Sequence, residues 1–386
     1  MERRTGLGAA AGVSGAIEAW PVVSPSEREI LSIVAAGSEV TQSDIVARAG
    51  LSQQSISRVT GDLIERGFLC QGERVSRGRR GQPSPLVTLN GDRMLLLGVS
   101  IMADAVSISL VDFAGQVRAN RFFQPEPMTR TVILEVVAGA LEDLCAATGQ
   151  NPAQVLGIGI GITGFALPGG RKFNPPQALS DWVDVDLAAL FEARFGRPAW
   201  ADNDGNVAAI GESLVGVGRW ARSFAYLYIA TGFGGGLVID GKLMRGTNGN
   251  AGEFAAMLPT QLYASPTLEL LRHCFARQDQ PFETIADMLA QISPDAAPVD
   301  DWLWRVQDTL SLVCMACSAL LDPEAIVIGG RMPPGLAERM IERVDMRERP
   351  RWGVARSVPR IVPAEASGDA TALGAAVLPL KLSYFG

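Results

Sequence analysis

The hydrophobic pattern of this 386-residue chain changes near Asn90, and this change limits its possible folds more than any other feature. Before Asn90, apolar residues recur at the three- and four-residue spacing of amphipathic helices. After it, long apolar runs alternate with helical stretches and glycine-rich turns, which predicts an α/β architecture. We therefore expect a flexible tail over residues 1–22, a small helical domain over 23–90 and an α/β domain over 91–386.

Charge and cysteine content narrow the class of protein. The formal net charge of -7 excludes a basic coat over the whole chain, although it says little about one small module. Five scattered cysteines do not form a disulfide framework, so we expect a reducing, cytoplasmic setting. The most apolar window, residues 94–111, is interrupted by Asp104, so we expect no membrane span.

Three helices are predicted in the first domain. The first begins near Ser24 or Ser26, and the second near Thr41 or Ser43, because these side chains can cap free helix amides. The third follows at once over residues 51–69. One face of this third helix carries apolar residues at helical spacing: Leu51, Ile56, Val59 and Leu63.

Polar side chains gather on the other face of the third helix, near its beginning. Gln pairs with adenine and Arg with guanine in the major groove, so this face suits a recognition helix. The alternative is a three-helix bundle with a solvated polar face. The candidate DNA-binding residues are Ser52, Gln53, Gln54, Ser57 and Arg58.

A basic wing favours the DNA-binding interpretation over a plain bundle. Residues 68–71 and 86–90 are predicted strands, and the segment between them is rich in glycine, proline and arginine. From Arg58 to Arg80 six arginines stand against three acidic residues. Extended arginines enter narrow minor grooves and contact phosphates, so the wing arginines Arg77, Arg79 and Arg80 join the candidate DNA contacts.

The second domain is predicted to alternate strands and helices. Two strands joined by a tight turn near Ala103 and Asp104 are followed by a third, then by a helix over residues 129–148. An apolar run over 155–164 is typical of a buried strand. Helices are further predicted over 302–321 and 370–380.

Five glycine-rich motifs in this domain resemble, in order, those of the ROK family of repressors, open reading frames and kinases. They lie at residues 157–170, 201–212, 229–254, 321–332 and 367–380. The resemblance spans roughly residues 24–386. It implies a two-lobed sugar-kinase fold of the actin and hexokinase type, which is ribonuclease H-like, behind the winged helix-turn-helix of the family's repressor branch.

The resemblance also locates a phosphate loop, and this loop departs from the kinase pattern. Ser100 replaces an acidic residue, and Met102 and Ala103 occupy positions where glycines let the backbone approach phosphate. The second loop, residues 231–236, keeps its glycines. We therefore expect no ATP-dependent phosphorylation and no catalytic residue, although Asp204 stands at the position of the kinase base.

The sugar-binding positions of the family pattern are better preserved in this sequence than the phosphate loop. Carboxylates and amides bind vicinal hydroxyls because they offer acceptors and donors at fixed spacing. Phe173, Trp182 and Phe233 are further candidates for stacking on a sugar, with structural packing as the alternative. The resemblance implies sugar contacts at Gly164, Asn203, Asp204, Glu253 and Glu269.

The family's zinc segment is altered. Ala256 stands at the position of a zinc-binding histidine, and residues 257–267 contain no cysteine, so we expect no zinc and no other cofactor. Cys314 and Cys317 lie in an apolar helix and are interpreted as core residues. His273, the only histidine, is interpreted as a helix-surface or partly buried residue.

Together these features predict a transcriptional regulator, most simply a repressor, that binds double-stranded operator DNA and responds to a monosaccharide. We expect a homo-oligomer, a dimer or tetramer, because paired recognition helices read pseudo-palindromic sites. Two alternatives remain at this stage. One is an active sugar kinase with an added DNA-binding domain, and the other is a DNA-binding protein whose large domain only oligomerises.

Overall fold

A computed structural model of the chain describes residues 20–37, 40–75, 84–346, 352–366 and 368–385.

The first domain is a winged helix, as the apolar spacing predicts. Ser24 and Thr41 cap the first two helices, each in a capping box with an acidic residue three positions later. Three antiparallel strands form a small sheet in the order β1-β3-β2. The elements are α1 (Pro25–Ala35), β1 (Val40–Thr41), α2 (Gln42–Arg48), α3 (Gln53–Glu65), β2 (Leu69–Val75) and β3 (Ser84–Leu89).

The first lobe of the second domain is a five-stranded mixed sheet in the order β10-β7-β4-β5-β6. Strands β4, β5 and β7 are buried along their whole length; the sequence of β7 is a continuous apolar run, whereas β5 also buries Ser107, Ser109 and Asp112. The elements are β4 (Leu95–Ile101), β5 (Val106–Asp112), β6 (Val117–Phe123), α4 (Arg130–Ala147), β7 (Val155–Ile162), β8 (Phe165–Ala166), β9 (Phe173–Asn174), α5 (Leu187–Phe195) and β10 (Ala199–Asn203).

The second lobe repeats the five-stranded plan, with strand order β13-β12-β11-β14-β15. Helix α6 leads into it from β10, and the final helix α11 returns to the first lobe. The elements are α6 (Asp204–Val215), β11 (Phe224–Ile229), β12 (Phe233–Ile239), β13 (Lys242–Met244), α7 (Leu268–Ala276), α8 (Ile285–Gln291), α9 (Ala297–Leu321), β14 (Ala325–Gly330), α10 (Leu336–Ile341), β15 (Arg360–Pro363) and α11 (Ala370–Ser383).

Glycines allow α11 to pack directly on the first sheet and on α6. A Cβ at Gly159 would lie 1.7 Å from the carbonyl oxygen of Ala375, and a Cβ at Gly374 would lie 1.7 Å from that of Val207. No side chain fits such a gap, so the repeated glycines of these motifs serve helix and sheet packing as well as turns.

An aromatic cluster joins the winged helix to the end of α11. Phe68 of the winged helix lies 5.6 Å from Tyr384, ring centre to ring centre, and the Trp20 indole donates to the Ser383 hydroxyl. Tyr384 in turn donates to the Pro21 carbonyl at 2.7 Å. Trp20 and Pro21, which we assigned to a flexible tail, therefore contact this cluster, against which the Trp20 ring is partly buried.

Candidate functional site

The candidate sugar site lies where two neighbouring parallel strands end. Strand β7 pairs in parallel with β10, with Ile162 opposite Asn203, so the residues that follow each strand meet at one edge. They line a cavity of about 310 Å³, together with residues from the second lobe. Four of the five predicted sugar residues line it: Gly164, Asn203, Asp204 and Glu253.

Gly164 and Asn203 shape the floor of the cavity. Gly164 has a φ of 136°, and a Cβ there would lie 2.7 Å from the carbonyl oxygen of Asn174, so only glycine fits. Its carbonyl accepts a 2.7 Å hydrogen bond from the Asn203 amide nitrogen. The Asn203 amide oxygen caps α6 by accepting from Gly205 and Asn206. Asn203 thus keeps one amide hydrogen for a ligand.

Asp204 is the most perturbed acid in the cavity. Its carboxylate accepts hydrogen bonds from the Thr163 hydroxyl at 2.7 Å and from the Gly205 amide at 2.9 Å. The pKa of Asp204 is raised to about 7, mainly by burial; the nearby Glu253 carboxylate adds to this rise, while the hydrogen bonds from Thr163 and Gly205 oppose it. Burial also raises the pKa of Glu253. Two close carboxyl groups in one open cavity suit a ligand that offers hydroxyl donors.

Asp202, two residues earlier, has the opposite environment. Its carboxylate pairs with the Arg245 guanidinium at 2.5 Å and accepts from the Asn206 amide at 2.9 Å. Among the described residues no such cation pairs with Asp204. Arg245 therefore neutralises the Asp202 carboxylate, which supports the loop. The Asp204 carboxylate, which faces the cavity, stays available to a ligand.

A short hairpin, β8–β9, forms one wall of the cavity and is fastened to the second lobe by Asn250. The Asn250 side chain accepts from the Ala166 amide at 2.8 Å and donates to the Ala166 carbonyl at 3.0 Å. This pair of bonds imitates one rung of a β-ladder across the two lobes. The hairpin residues Phe165 and Asn174 also line the cavity.

Glu269, the fifth predicted sugar residue, does not line this cavity. It lies in the first turn of α7, where its carboxylate pairs with Arg272 at 2.6 Å and lies 3.2 Å from the His273 imidazole. The Arg272 guanidinium lowers the pKa of Glu269. We therefore remove Glu269 from the candidate sugar set, because its helix position directs it to neighbours on its own helix.

The aromatic candidates separate in a similar way. Phe233 lines the cavity and stacks on Phe254, with ring centres 6.2 Å apart. Phe173 and Trp182 are only 1% exposed and belong to the core, and the Trp182 indole donates to the Met128 carbonyl. Stacking on a sugar is therefore excluded for these two, and Phe165 offers the exposed ring instead.

A second cavity, of about 400 Å³, adjoins the first across the shared side chain of Tyr228. The turn predicted to hold phosphate in kinases borders this region. Here Arg331 of the second lobe donates to both carboxylate oxygens of Asp104, at 2.7 and 2.8 Å, and its guanidinium lies over the Phe122 ring. Ser100 is fully buried within β4. The guanidinium of Arg331 thus neutralises the Asp104 carboxylate of this turn.

Several of these residues were not predicted from the sequence. Thr163 had a usable signal, because it directly follows a buried strand of the parallel pair. Asn250 and Arg331 had none, since their partners lie 84 and 227 residues away in sequence.

No group of three or more His, Cys, Asp and Glu side chains that could hold a metal occurs within the described ranges. Cys314 and Cys317 are buried in α9, and burial raises the pKa of Cys317 to about 12. Both thiols thus pack as core residues, as their apolar neighbours predict.

The candidate DNA-binding surface lies at the start of α3. Ser52 caps the helix, while Gln53, Gln54, Ser57 and Arg58 are exposed, and Arg58 pairs with Asp62 on the same surface. Ile56, Val59 and Leu63 are buried on the opposite face, as the spacing predicts. The predicted wing contacts Arg77, Arg79 and Arg80 lie outside the described residues.

None of the described helices is both long enough and apolar enough to cross a membrane.

Comparison with known proteins supplies two family matches. Residues 96–274 match the ROK family, and residues 23–81 match the MarR family. An uncharacterised protein of Sinorhizobium fredii, y4fQ, is 25% identical over 95% of this chain and 93% of its own length. A xylose repressor of Caldicellulosiruptor bescii is 27% identical over 55% of this chain, and the alignment spans only 53% of that repressor.

Solved structures share the fold. The crystal structure of a ROK family transcriptional regulator, a homologue of the E. coli MLC protein, covers 92% of this chain and 96% of its own with a TM-score of 0.63 at 18% identity. A ROK family glucokinase from Streptomyces griseus, in complex with glucose and AMPPNP, covers 74% of this chain and 98% of its own with a TM-score of 0.59 at 22% identity. At these identities the likeness establishes the fold alone.

Proposed function

This chain carries a ROK family domain behind a MarR-type winged helix-turn-helix domain, and from this we propose that it is a DNA-binding transcriptional repressor. Its ROK domain binds a monosaccharide or a derivative as effector and does not phosphorylate it. The observation that carries the proposal is the contrast between an open cavity around Asp204 and an ion-paired phosphate turn around Asp104.

The open cavity supports sugar binding. Asp204 and Glu253 offer acceptors for hydroxyl donors, Asn203 offers one amide hydrogen, and Phe233 offers an apolar ring. A volume of about 310 Å³ is at the small end of ligand cavities, which suits a single sugar ring. The names of relatives at lower coverage, which include xylose repressors and glucokinases, agree with a carbohydrate ligand.

The paired turn argues against phosphoryl transfer. A kinase needs this turn to approach the nucleotide phosphates with its metal ion. Here Asp104 is already held by Arg331, and Ser100 supplies no carboxylate for a metal ion. Asp204 would then serve as a hydrogen-bond acceptor for the sugar and not as a general base.

Helix α11 offers a physical connection between the sugar cavity and the DNA-binding domain. At its start, the Thr371 hydroxyl donates to the hydroxyl of Tyr228, which lines the cavity. At its end, Arg28 of α1 donates to the carbonyls of Leu382 and Ser383. A sugar that favours one arrangement of the lobes would shift this helix and change operator affinity by about 1–3 kcal/mol, a typical coupling energy.

On the DNA side, the proposal assigns two roles. Gln54 and Arg58 read base edges, whereas Arg79 and Arg80 contact phosphates and the minor groove. Substituting the first pair with alanine should change sequence preference, and substituting the second should weaken binding to all sequences and reduce its salt dependence. We further propose that the chain works as a dimer or tetramer, so that two α3 helices read one operator.

The deciding experiment begins with selection of a binding site from random duplex DNA at fixed salt. Operator affinity is then measured by fluorescence anisotropy in xylose, glucose and N-acetylglucosamine. We expect one sugar class to change operator affinity by about 5- to 150-fold, and Asp204→Asn to abolish the change while leaving affinity without sugar intact. If no sugar binds by calorimetry and none changes DNA affinity, the large domain only assembles the regulator.

A coupled assay with ATP and the bound sugar distinguishes the proposed regulator from an active sugar kinase. We expect no release of ADP above background. Release that is abolished by Asp204→Asn would contradict the proposal and establish an enzyme.

A further inference from the structure

A third cavity lies at the joint between the winged helix and the ROK domain. It measures about 620 Å³ and is walled by the end of α1, the end of α2, the loop after α6 and the end of α11. Neither the sugar cavity nor the reading face of α3 shares any of its residues.

The charged side chains that line this cavity all have one sign. Four cationic side chains line it, and none of the described residues that line it is an aspartate or glutamate. Carboxylates lie just outside the lining, where Glu365 accepts from the Trp220 indole and Glu324 from the Arg222 backbone amide. In a chain of net charge -7, a cavity lined only by cations favours an anionic partner. The cations are Arg48 of the winged helix and Arg219, Arg222 and Lys381 of the ROK domain.

Lys381 gives the clearest sign that a counter-charge is missing. It is half-buried at the end of α11, and no ion pair to it occurs among the described residues. Burial lowers its pKa, and the guanidinium of Arg222 lowers it further. Two cations held together in a partly desolvated cavity repel each other, and a bound anion would remove that repulsion.

The remaining walls suit a small organic molecule. Ile33 and Ala35 are only partly buried and supply apolar surface, and Trp220 presents an indole that is 37% exposed. Hydrogen bonding to Glu365 and the Arg360 guanidinium over the ring hold this indole in place. Such a wall packs against the carbon skeleton of a ligand while the cations bind its charged group.

We propose that this joint cavity binds a small metabolite that carries a phosphate group. A phosphate offers the two negative charges and three acceptor oxygens that several cations at once can engage. Because the ligand would contact Arg48 on one side and Arg219 and Lys381 on the other, it would tie the DNA-binding domain to the ROK domain. Duplex DNA is a weaker candidate, since a concave cavity of this size admits a phosphate ester more readily than a rigid double helix.

The cavity is independent of the proposed sugar site, and the experiment keeps the two apart. Calorimetry and thermal shift on the full chain would use pyrophosphate, glucose 6-phosphate and glucose as probes. We expect glucose 6-phosphate or pyrophosphate to raise the melting temperature, because a ligand of the folded state stabilises it. Binding should persist in Asp204→Asn, which removes the sugar acceptor.

Charge-removing variants then locate the site. We expect Arg219→Gln and Lys381→Gln each to weaken the phosphate probe about tenfold or more, the size of one charge-assisted contact. Arg277→Gln, which removes an exposed cation far from the cavity, should change it by less than about twofold. Circular dichroism and the melting temperature of each variant without ligand check that it is folded.

Three results would overturn the proposal. The first is no binding of any phosphate probe to the folded wild type. The second is equal weakening by Arg277→Gln, which would mean attraction by overall charge. The third is loss of DNA affinity in Lys381→Gln without any phosphate-ester binding, which would make this surface a contact for the DNA backbone.

Discussion

Asp204 lines the sugar cavity, and Asp104 pairs with Arg331, which lines the neighbouring cavity, yet the chain treats the two carboxylates in opposite ways. Both carboxylate oxygens of Asp104 accept hydrogen bonds from the Arg331 guanidinium, so its charge is neutralised within the protein. Asp204 is buried, has no cation beside it among the described residues, and faces an open cavity. A carboxylate that is already paired supports structure, whereas a buried one without a counter-charge is prepared for a ligand.

The variant with the largest expected effect on this contrast between the two carboxylates is Asp204→Asn. The amide oxygen can still accept from Thr163, so the fold should survive, but the charged acceptor is lost. We expect sugar affinity to fall about 100-fold, since hydrogen bonds to charged groups contribute about 1.5–3 kcal/mol. Calorimetry with the effector sugar measures it.

Glu269→Gln is the matched control, because it removes a carboxylate that pairs on its own helix. Its sugar affinity should stay within about twofold of wild type. An equal loss in both variants would return Glu269 to the sugar set and weaken the contrast.

The second test concerns the paired carboxylate. Arg331→Met leaves Asp104 partly buried without its partner, and we expect a loss of about 2 kcal/mol in the free energy of unfolding. Fully buried pairs cost about 3–5 kcal/mol when one partner is removed, and the Asp104 side chain is 26% exposed. Urea denaturation measures the loss.

The double variant Arg331→Met with Asp104→Asn separates pairing from packing. It should recover part of the lost stability, since no unpaired charge remains. Additive losses in the double variant would mean that Arg331 acts by packing on Phe122 and not by neutralising Asp104.

The third test addresses the wall of the sugar cavity. Asn250→Ala removes both hydrogen bonds to Ala166 and frees the β8–β9 hairpin from the second lobe. We expect sugar affinity to fall about tenfold, because the hairpin must then be ordered on binding. Asn151→Ala, which removes a surface cap far from the cavity, should leave affinity unchanged. A loss of stability with unchanged affinity would show that the wall contributes no binding energy.

Much of this architecture follows from local sequence patterns. The capping residues Ser24 and Thr41, the apolar face of α3 and the continuous strand β7 are local signals, and the structure places each as predicted. These features depend on residues a few positions apart in sequence. Asp204 was singled out as a sugar contact through the family resemblance alone.

Long-range partners were missed for a physical reason. The Asp104–Arg331 pair and the Asn250 clamp depend on how the two lobes meet, and no local pattern encodes that geometry. Glu269 is a different case, since the family resemblance that suggested it does not say which way its side chain points. Trp20 was assigned to the flexible tail because its partners, Trp200 and Tyr384, lie far along the chain.

The smallest expected effect is a change in protonation at Asp204. Burial raises its pKa from an ordinary 3.8 to about 7, so the folded chain holds a proton there that the unfolded chain releases. This contribution to stability is present below pH 4 and is lost as pH rises through 7. Without sugar, wild type should therefore lose more stability between pH 5 and pH 8 than Asp204→Asn does.

Sugar binding should reverse this protonation. Hydroxyl donors favour the ionised carboxylate and lower its pKa, so binding near pH 7 should release about half a proton. Calorimetry in two buffers of different ionisation enthalpy would detect the release as a difference in apparent binding enthalpy. The difference should vanish about two pH units higher, where the carboxyl group is already ionised before binding. Proton uptake near pH 7 in place of release would mean that the sugar binds Asp204 in its neutral form, and the contrast with Asp104 would then be one of protonation and not of a missing cationic partner.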